Sequence, residues 1–231
     1  MVILAVETGT ASPSVAILKD RTLLASSVCQ PGQSLTSQLL PTIDRLLVSV
    51  GLRMTDCQGL AVSIGPGSFT GLRVGLATVS ALRLALQIPL VGVSTLEGLA
   101  WNQAPVHLPI FSTVYIKPGF LYWGCYQWEG ATMTRRGNEA MGTVADSLKC
   151  LKGNHLVVGD GWSRNRELFV LEHGELIPSS PDPETPSAQG IGLAGFGLLE
   201  RGQLLPEGTS PQYLQPSYAE VAIGTSKVSG G

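Results

Sequence analysis

Gly65-Pro66-Gly67-Ser68-Phe69-Thr70-Gly71-Leu72-Arg73 is the stretch that decides the fold. The run before it, Gly59–Ile64 (GLAVSI), is short and apolar and reads as a buried strand. The run after it, Leu72–Gln87, is rich in Ala and Leu and reads as a helix. The motif is therefore a glycine-rich turn that joins a strand to a helix. Gly65, Gly67 and Gly71 permit backbone conformations that side chains forbid. Pro66 stiffens the turn, and Ser68 or Thr70 can cap the helix. Free N–H groups at a helix start attract anions. Two readings follow: a phosphate cradle, or a tight βα turn that lets helix and sheet approach closely. The spacing is not that of a P-loop, because no Lys follows Gly71. It is not a dinucleotide turn either, because the third glycine comes one residue late.

Upstream, Val2–Val6 (VILAV), Ser14–Leu18 (SVAIL) and Thr22–Val28 read as three strands of a β-meander. The turn Glu7–Pro13 between the first two carries a carboxylate and hydroxyls. It can hold phosphate or a metal, or it can be a turn bonded to itself. Ser34–Val50 reads as an amphipathic helix through Leu35, Leu39, Ile43, Leu46, Leu47 and Val50. Pro41 inside it argues for a start nearer Leu40 or for a kink, and Gly51 is a natural stop. The helix after the glycine motif carries two stripes. Leu72, Leu76, Val79 and Leu86 form one; Ala77, Ala81 and Ala85 form the other. One stripe packs on the sheet, and the other faces either a neighbouring helix or another protein. Ile88–Val93 reads as the next strand. Ser94 and Glu97 then match capping-box spacing, which makes Glu97 a cap rather than an acid catalyst.

The order three strands, helix, strand, helix, strand, helix is that of an α/β sheet with helices on its faces. Gln103–Pro109, with two prolines, is the expected lobe boundary. Beyond it we expect strands at Ile110–Ile116, Phe120–Trp128 and His155–Val158. Helices are expected at Thr143–Lys152, Ser163–Leu171 and Ala188–Leu199, a loop at 178–186 and a polar tail at 217–231. Strand, hairpin, helix and strand would make the second lobe a repeat of the first in pattern, with no repeat in sequence.

Composition narrows the function. Charged residues are 14% of 231, against about 25% in ordinary globular chains, so apolar surface is reserved for a partner. A net charge of -2 gives no global basic footprint for nucleic acid. Cys29, Cys57, Cys125 and Cys150 form no C-x-x-C pair, and His107, His155 and His173 form no local metal motif. No G-x-S-x-G elbow occurs. Asp160, after a strand end, is the best-placed carboxylate for a ligand, with capping of the following helix as its other reading. Met1 runs directly into a strand, and no uncharged apolar run reaches about 18 residues. A cytoplasmic protein with reduced thiols, free of membrane contact, is expected.

The motif GPGSFTGLRVG, preceded by GLAVSI and followed by PLVGVSTLEGLA, closely resembles the TsaB (YeaZ) family. So do ILAVETGTASPSVAIL and LTSQLLPTIDRLL. The resemblance covers about residues 1–102. It weakens beyond Trp101, where Tyr115-Ile116-Lys117 stands in place of an Asp-Ala-Arg segment frequent in the family. It implies an α/β, actin-like (ASKHA, RNase H-like) two-lobed fold with mixed sheets flanked by helices. The lobes would be 1–103 and 104–216, with the helix near 188–200 packing back on the first, and 217–231 a flexible tail. The resemblance implies a non-catalytic partner of the paralogue TsaD in forming the threonylcarbamoyl group on adenosine 37 of tRNAs that read codons starting with A. The TsaE ATPase joins that assembly, and tRNA is reached only through the complex. TsaD carries an H-x-x-x-H metal pair where this chain has Thr95 and Leu99, so neither a metal nor a catalytic residue is expected here. The partner face is implied at Leu39, Ile43, Leu46, Arg73, Leu76, Ala77 and Ser80, and a homodimer would use the same face when TsaD is absent. No resident cofactor is implied; a nucleotide at the partner interface stays open. The alternative is an ATP-dependent carbamoyl or phosphoryl transferase, or a glycoprotease-type metalloenzyme, of the same superfamily.

Overall fold

The computed structural model describes residues 1–30, 32–103, 105–172, 176–178 and 188–212. His173, the expected loop from 179 to 186 and the expected tail at 217–231 lie outside them. The first sheet contains β1 (Val2–Glu7), β2 (Ser14–Lys19), β3 (Thr22–Val28), β4 (Gly59–Gly65) and β5 (Leu90–Ser94), in the order β3-β2-β1-β4-β5. β1 is central. It runs antiparallel to β2 and parallel to β4, and all six of its residues are buried. That explains the unbroken apolar run VILAV, since a strand covered on both faces needs no polar alternation.

The second sheet contains β6 (Ile110–Lys117), β7 (Phe120–Glu129), β8 (Thr132–Thr143), β9 (His155–Val158) and β10 (Leu176–Pro178), in the order β10-β9-β6-β7-β8. Read from the β8 edge, this is the order of the first sheet. A three-stranded antiparallel meander comes first, and two parallel strands are then added on the other side of its first strand. The chain builds one topology twice, as the actin-like architecture requires. β8 went unread in the sequence. Its stretch TMTRRGNEAMGT is polar and lacks alternation, and its pairing with β7 makes it a strand.

Helices cover both sheets. α1 (Leu35–Ser49) and α2 (Phe69–Leu86) lie on one face of the first sheet, sharing a core with Leu4, Val6, Val15, Ile17, Leu60 and Val62. α1 starts at Leu35 and runs through Pro41 rather than starting near Leu40. Pro41 is exposed, so the Ser37 carbonyl that loses its partner is open to water. α2 starts three residues earlier than expected, at Phe69, because Ser68 caps it. α2 is also long and apolar enough to span a membrane, at mean hydropathy 1.3 over 18 residues. It is not an uncharged run, so the expectation that none of that length occurs stands. It carries Arg73 and Arg83, and its inner edge packs on the sheet.

In the second half, α4 (Val144–Leu148) is shorter than the helix expected there and opens with a Thr143–Asp146 capping box. The helix expected at Ser163–Leu171 is two helices, α5 (Asp160–Arg164) and α6 (Arg166–Glu172). Asn165 breaks it: its side chain accepts from Gly119 N–H and donates to the Gly161 carbonyl, both at 2.9 Å or less.

The two remaining helices are exchanged between the halves. α3 (Thr95–Trp101) follows the first sheet, yet Leu96, Leu99 and Ala100 pack on Ile110, Val114, Tyr122, Tyr126 and Val158 of the second. α7 (Ala188–Glu200) follows the second sheet, yet Ile191, Ala194 and Phe196 pack with Ile3, Ala5, Leu18, Ala61 and Val91 of the first. The two helices cross at glycines. A Cβ at Gly190 would lie 1.9 Å from the Gly98 carbonyl oxygen, closer than any packing allows. Gly190→Ala is therefore expected to lower stability by about 1–3 kcal/mol, read as the urea midpoint. An unchanged midpoint would contradict this crossing.

Candidate functional site

The glycine-rich stretch is filled from inside by its own chain. Gly65 closes β4 at φ 116°, a conformation suited to glycine, and a cis peptide bond joins it to Pro66. A Cβ at Gly67 would lie 2.2 Å from the Gly9 carbonyl oxygen, one at Gly71 2.0 Å from the Thr8 carbonyl oxygen, and one at Gly75 2.1 Å from Thr8 Oγ1. The glycines therefore let α2 settle on the Glu7–Thr10 turn. Two helix-start amides are also occupied: Ser68 N–H donates to the Gly9 carbonyl, and Gly71 N–H to Ser68 Oγ. Ser68, Phe69 and Thr70 are exposed at the helix start. Of the two readings the motif allowed, close βα packing accounts for every glycine contact named here.

The facing turn is bonded to itself. Glu7 is fully buried. One of its oxygens accepts Gly9 N–H at 2.6 Å, and the other accepts the Thr10 hydroxyl at 2.7 Å. Thr8 N–H donates to Ser63 Oγ on β4. Burial pushes the Glu7 carboxyl up to about 7, more than these hydrogen bonds pull it down. A Cβ on Gly9 would lie 3.2 Å from both Glu7 Oε1 and Thr95 Oγ1, and among the described residues neither Thr95 Oγ1 nor Thr8 Oγ1 has a hydrogen-bond partner. Thr95 and Leu99, which stand where the TsaD metal pair was inferred, are both fully buried, Leu99 in the core of the second half. Among the described residues, no group of three His, Cys, Asp or Glu is arranged to hold a metal.

Other carboxylates have structural tasks. Asp160 accepts Tyr115 N–H at 2.8 Å and so ties β6 to α5, while Arg164 lies 3.8 Å from its other oxygen. Glu97 does not reach back as a cap. Ser94 Oγ alone caps α3. Burial raises the Glu97 carboxyl, and the nearby charge of Glu139 on β8 raises it further. Tyr126 donates a hydrogen bond to that same Glu139. This group was invisible in the sequence because β8 was.

The expected partner face divides in two. Leu39, Ile43 and Leu46 of α1, and Leu76 of α2, belong to the chain's own core and are at most 8% exposed. They face the sheet, because helical periodicity marks the buried side of an amphipathic helix. Arg73 and Ala77 are exposed and Ser80 is half-buried. With them on the outer side lie Ala81, Ala85 and Leu84, and on α1 Leu40 and Val48. Leu40, Val48 and Leu84 are 50%, 68% and 70% exposed. Arg73 stacks over the Phe69 ring at 3.7 Å. An outer face thus runs along both helices, with the expected Arg73, Ala77 and Ser80 on it and the expected Leu39, Ile43, Leu46 and Leu76 beneath it.

A family model described as "TsaD: tRNA N6-adenosine threonylcarbamoyltransferase" matches residues 32–164. The tRNA threonylcarbamoyladenosine biosynthesis protein TsaB of Escherichia coli K12 is 32% identical over 197 residues, covering 79% of this chain and 84% of that protein. The chain belongs to the TsaB (YeaZ) family. TsaB of Buchnera aphidicola is 33% identical over 192 residues, covering 78% of this chain and 90% of its own. YeaZ from Pseudomonas aeruginosa superposes with a TM-score of 0.78 at 27% identity, over 92% of this chain and 99% of that one. The TsaB likeness thus extends well past residue 102, into the half where the sequence motifs were weak.

Glu7 gives this TsaB-family chain a pH-dependent stability. The folded carboxyl keeps its proton to about pH 7, whereas an ordinary one loses it near 4.5. Its stabilising contribution is full below about pH 4.5 and is lost as pH rises through about 7. That shift corresponds to about 3 kcal/mol. Glu7→Gln keeps the shape without the charge. It is expected to match the wild type near pH 5 and to exceed it at pH 8 by about 1–3 kcal/mol in urea unfolding. An equally steep pH dependence in the variant would rule out Glu7 as the source.

Proposed function

We propose that this chain takes part in threonylcarbamoyl-adenosine modification of tRNA as a non-catalytic partner of a TsaD-type transferase, in the cytoplasm. The observation that carries the proposal is the outer face of α1 and α2. Leu40, Val48 and Leu84 stand exposed there beside the alanines at 77, 81 and 85. Small side chains along one helix edge let a partner helix approach closely, and the flanking Leu and Val residues supply apolar area. Covering each of those three large side chains contributes on the order of 1 kcal/mol. Relatives named for threonylcarbamoyladenosine biosynthesis supply the pathway, and the matching model named for the transferase supplies the kind of partner.

On this reading the contact is made by helix against helix. Arg73, held over Phe69, marks one end of the face, and Leu84 the other. The same surface serves a second copy of the chain when the transferase is absent, so the two assemblies compete. A TsaE-type ATPase and tRNA join through the complex.

The test is a charge at the centre of the face. Ala77→Asp is expected to weaken capture of the TsaD-type partner by at least tenfold in a pull-down with purified proteins, with circular dichroism unchanged. The same substitution is expected to abolish self-association in sedimentation experiments. Undiminished capture by a folded Ala77→Asp chain would refute this surface.

A further inference from the structure

The Glu7 carboxyl is buried, and among the described residues no cation compensates it. Its hydrogen-bond partners are the N–H groups of Gly9 and Thr10 and the hydroxyls of Thr10 and of Ser63 on β4, and Thr95 of α3 stands on the same side of Gly9. The titratable neighbour is the Cys29 thiol after β3, which burial keeps protonated. Arg45 of α1 acts on that thiol and does not figure among the influences on Glu7. The carboxyl closes the Glu7–Thr10 turn, and the back of that turn is the seat of α2. Thr8 lies against Gly71 and Gly75, and the Gly9 carbonyl holds Ser68 N–H.

We propose that the protonation state of Glu7 sets how firmly the first turn of α2 is seated, and so makes engagement of the α1–α2 face depend on pH. The proposal rests on the reading of that face as the partner surface. With the proton on, Glu7 donates it to the Thr10 hydroxyl and still accepts Gly9 N–H, so an uncharged turn supports the helix. With the proton lost to solvent, a charge stands among amides and hydroxyls that cannot neutralise it. Water must then enter, and it enters by displacing the Thr8–Gly9 backbone from the glycines of α2. Burial brings the carboxyl to about 7, so the change falls in the neutral range.

Amide hydrogen exchange on the full chain between pH 6 and 8, corrected for intrinsic exchange, tests this directly. Protection at Ser68, Gly71 and Leu72 is expected to fall at least tenfold more than at Ile43–Leu47 of α1. In Glu7→Gln it should stay level. Self-association measured by sedimentation is expected to weaken at least threefold over the same range in the wild type and to hold constant in the variant. A first turn that ignores pH in the wild type overturns the proposal, whether or not the variant folds. An equal response in Glu7→Gln overturns it too. Ala77→Asp separates the two readings. If it abolishes association while wild-type association ignores pH, the switch fails and the surface stands. If it leaves association intact, the surface fails, and exchange at the first turn alone decides whether Glu7 controls the helix.

Discussion

The close approach of α2 to the Thr8–Gly9 backbone governs the first half of this protein. A helix can lie that near another stretch of chain only where it lacks side chains: Gly67 just before α2 and Gly71 within it face the Gly9 and Thr8 carbonyls, and Gly75 faces the Thr8 side chain. The contact also fixes the rotation of α2 about its axis. With the glycine edge turned inward, Leu72, Leu76 and Val79 must enter the core, and Ala77, Ala81 and Ala85 must face outward. The exposed face is thus a geometric result of the buried one. Substituting a glycine on the inside would rotate or lift the outside.

Polar groups are treated unevenly beneath this contact. Thr10, Ser63 and Gly9 N–H all serve the Glu7 carboxyl, while the hydroxyls of Thr8 and Thr95 lie nearby without a partner. Interiors normally satisfy such groups, since an orphaned hydroxyl costs about 1–3 kcal/mol.

Strands announced themselves clearly where both faces are covered. VILAV, GLAVSI apart from Ser63, and the strand before Ser94 are apolar because helices lie above and below them. The glycine motif was legible as strand, turn and helix, but its purpose was not, because a glycine that admits a ligand and one that admits neighbouring backbone look the same in sequence. Leu39, Ile43, Leu46 and Leu76 were assigned to a partner for a related reason. Periodicity shows that a stripe is buried without saying against what, and here the chain's own sheet buries it. β8 was lost because an edge strand rich in Arg, Asn and Gly owes its form to pairing with β7, a long-range fact with no local mark. The break at Asn165 is of the same kind, since it depends on a bond to Gly119.

The exchange of α3 and α7 between the two sheets bears on how the chain is made. The first sheet is complete once β5 has left the ribosome, and α1 and α2 can already cover one of its faces. The other face, built from Ile3, Ala5, Ala16, Leu18, Ala61, Val91 and Val93, must wait for a helix that is synthesised only after the entire second sheet. Until then it is an open apolar surface on a nascent chain, and the second sheet grows around α3 beside it. The two halves repeat each other in topology, yet neither can close before the other exists.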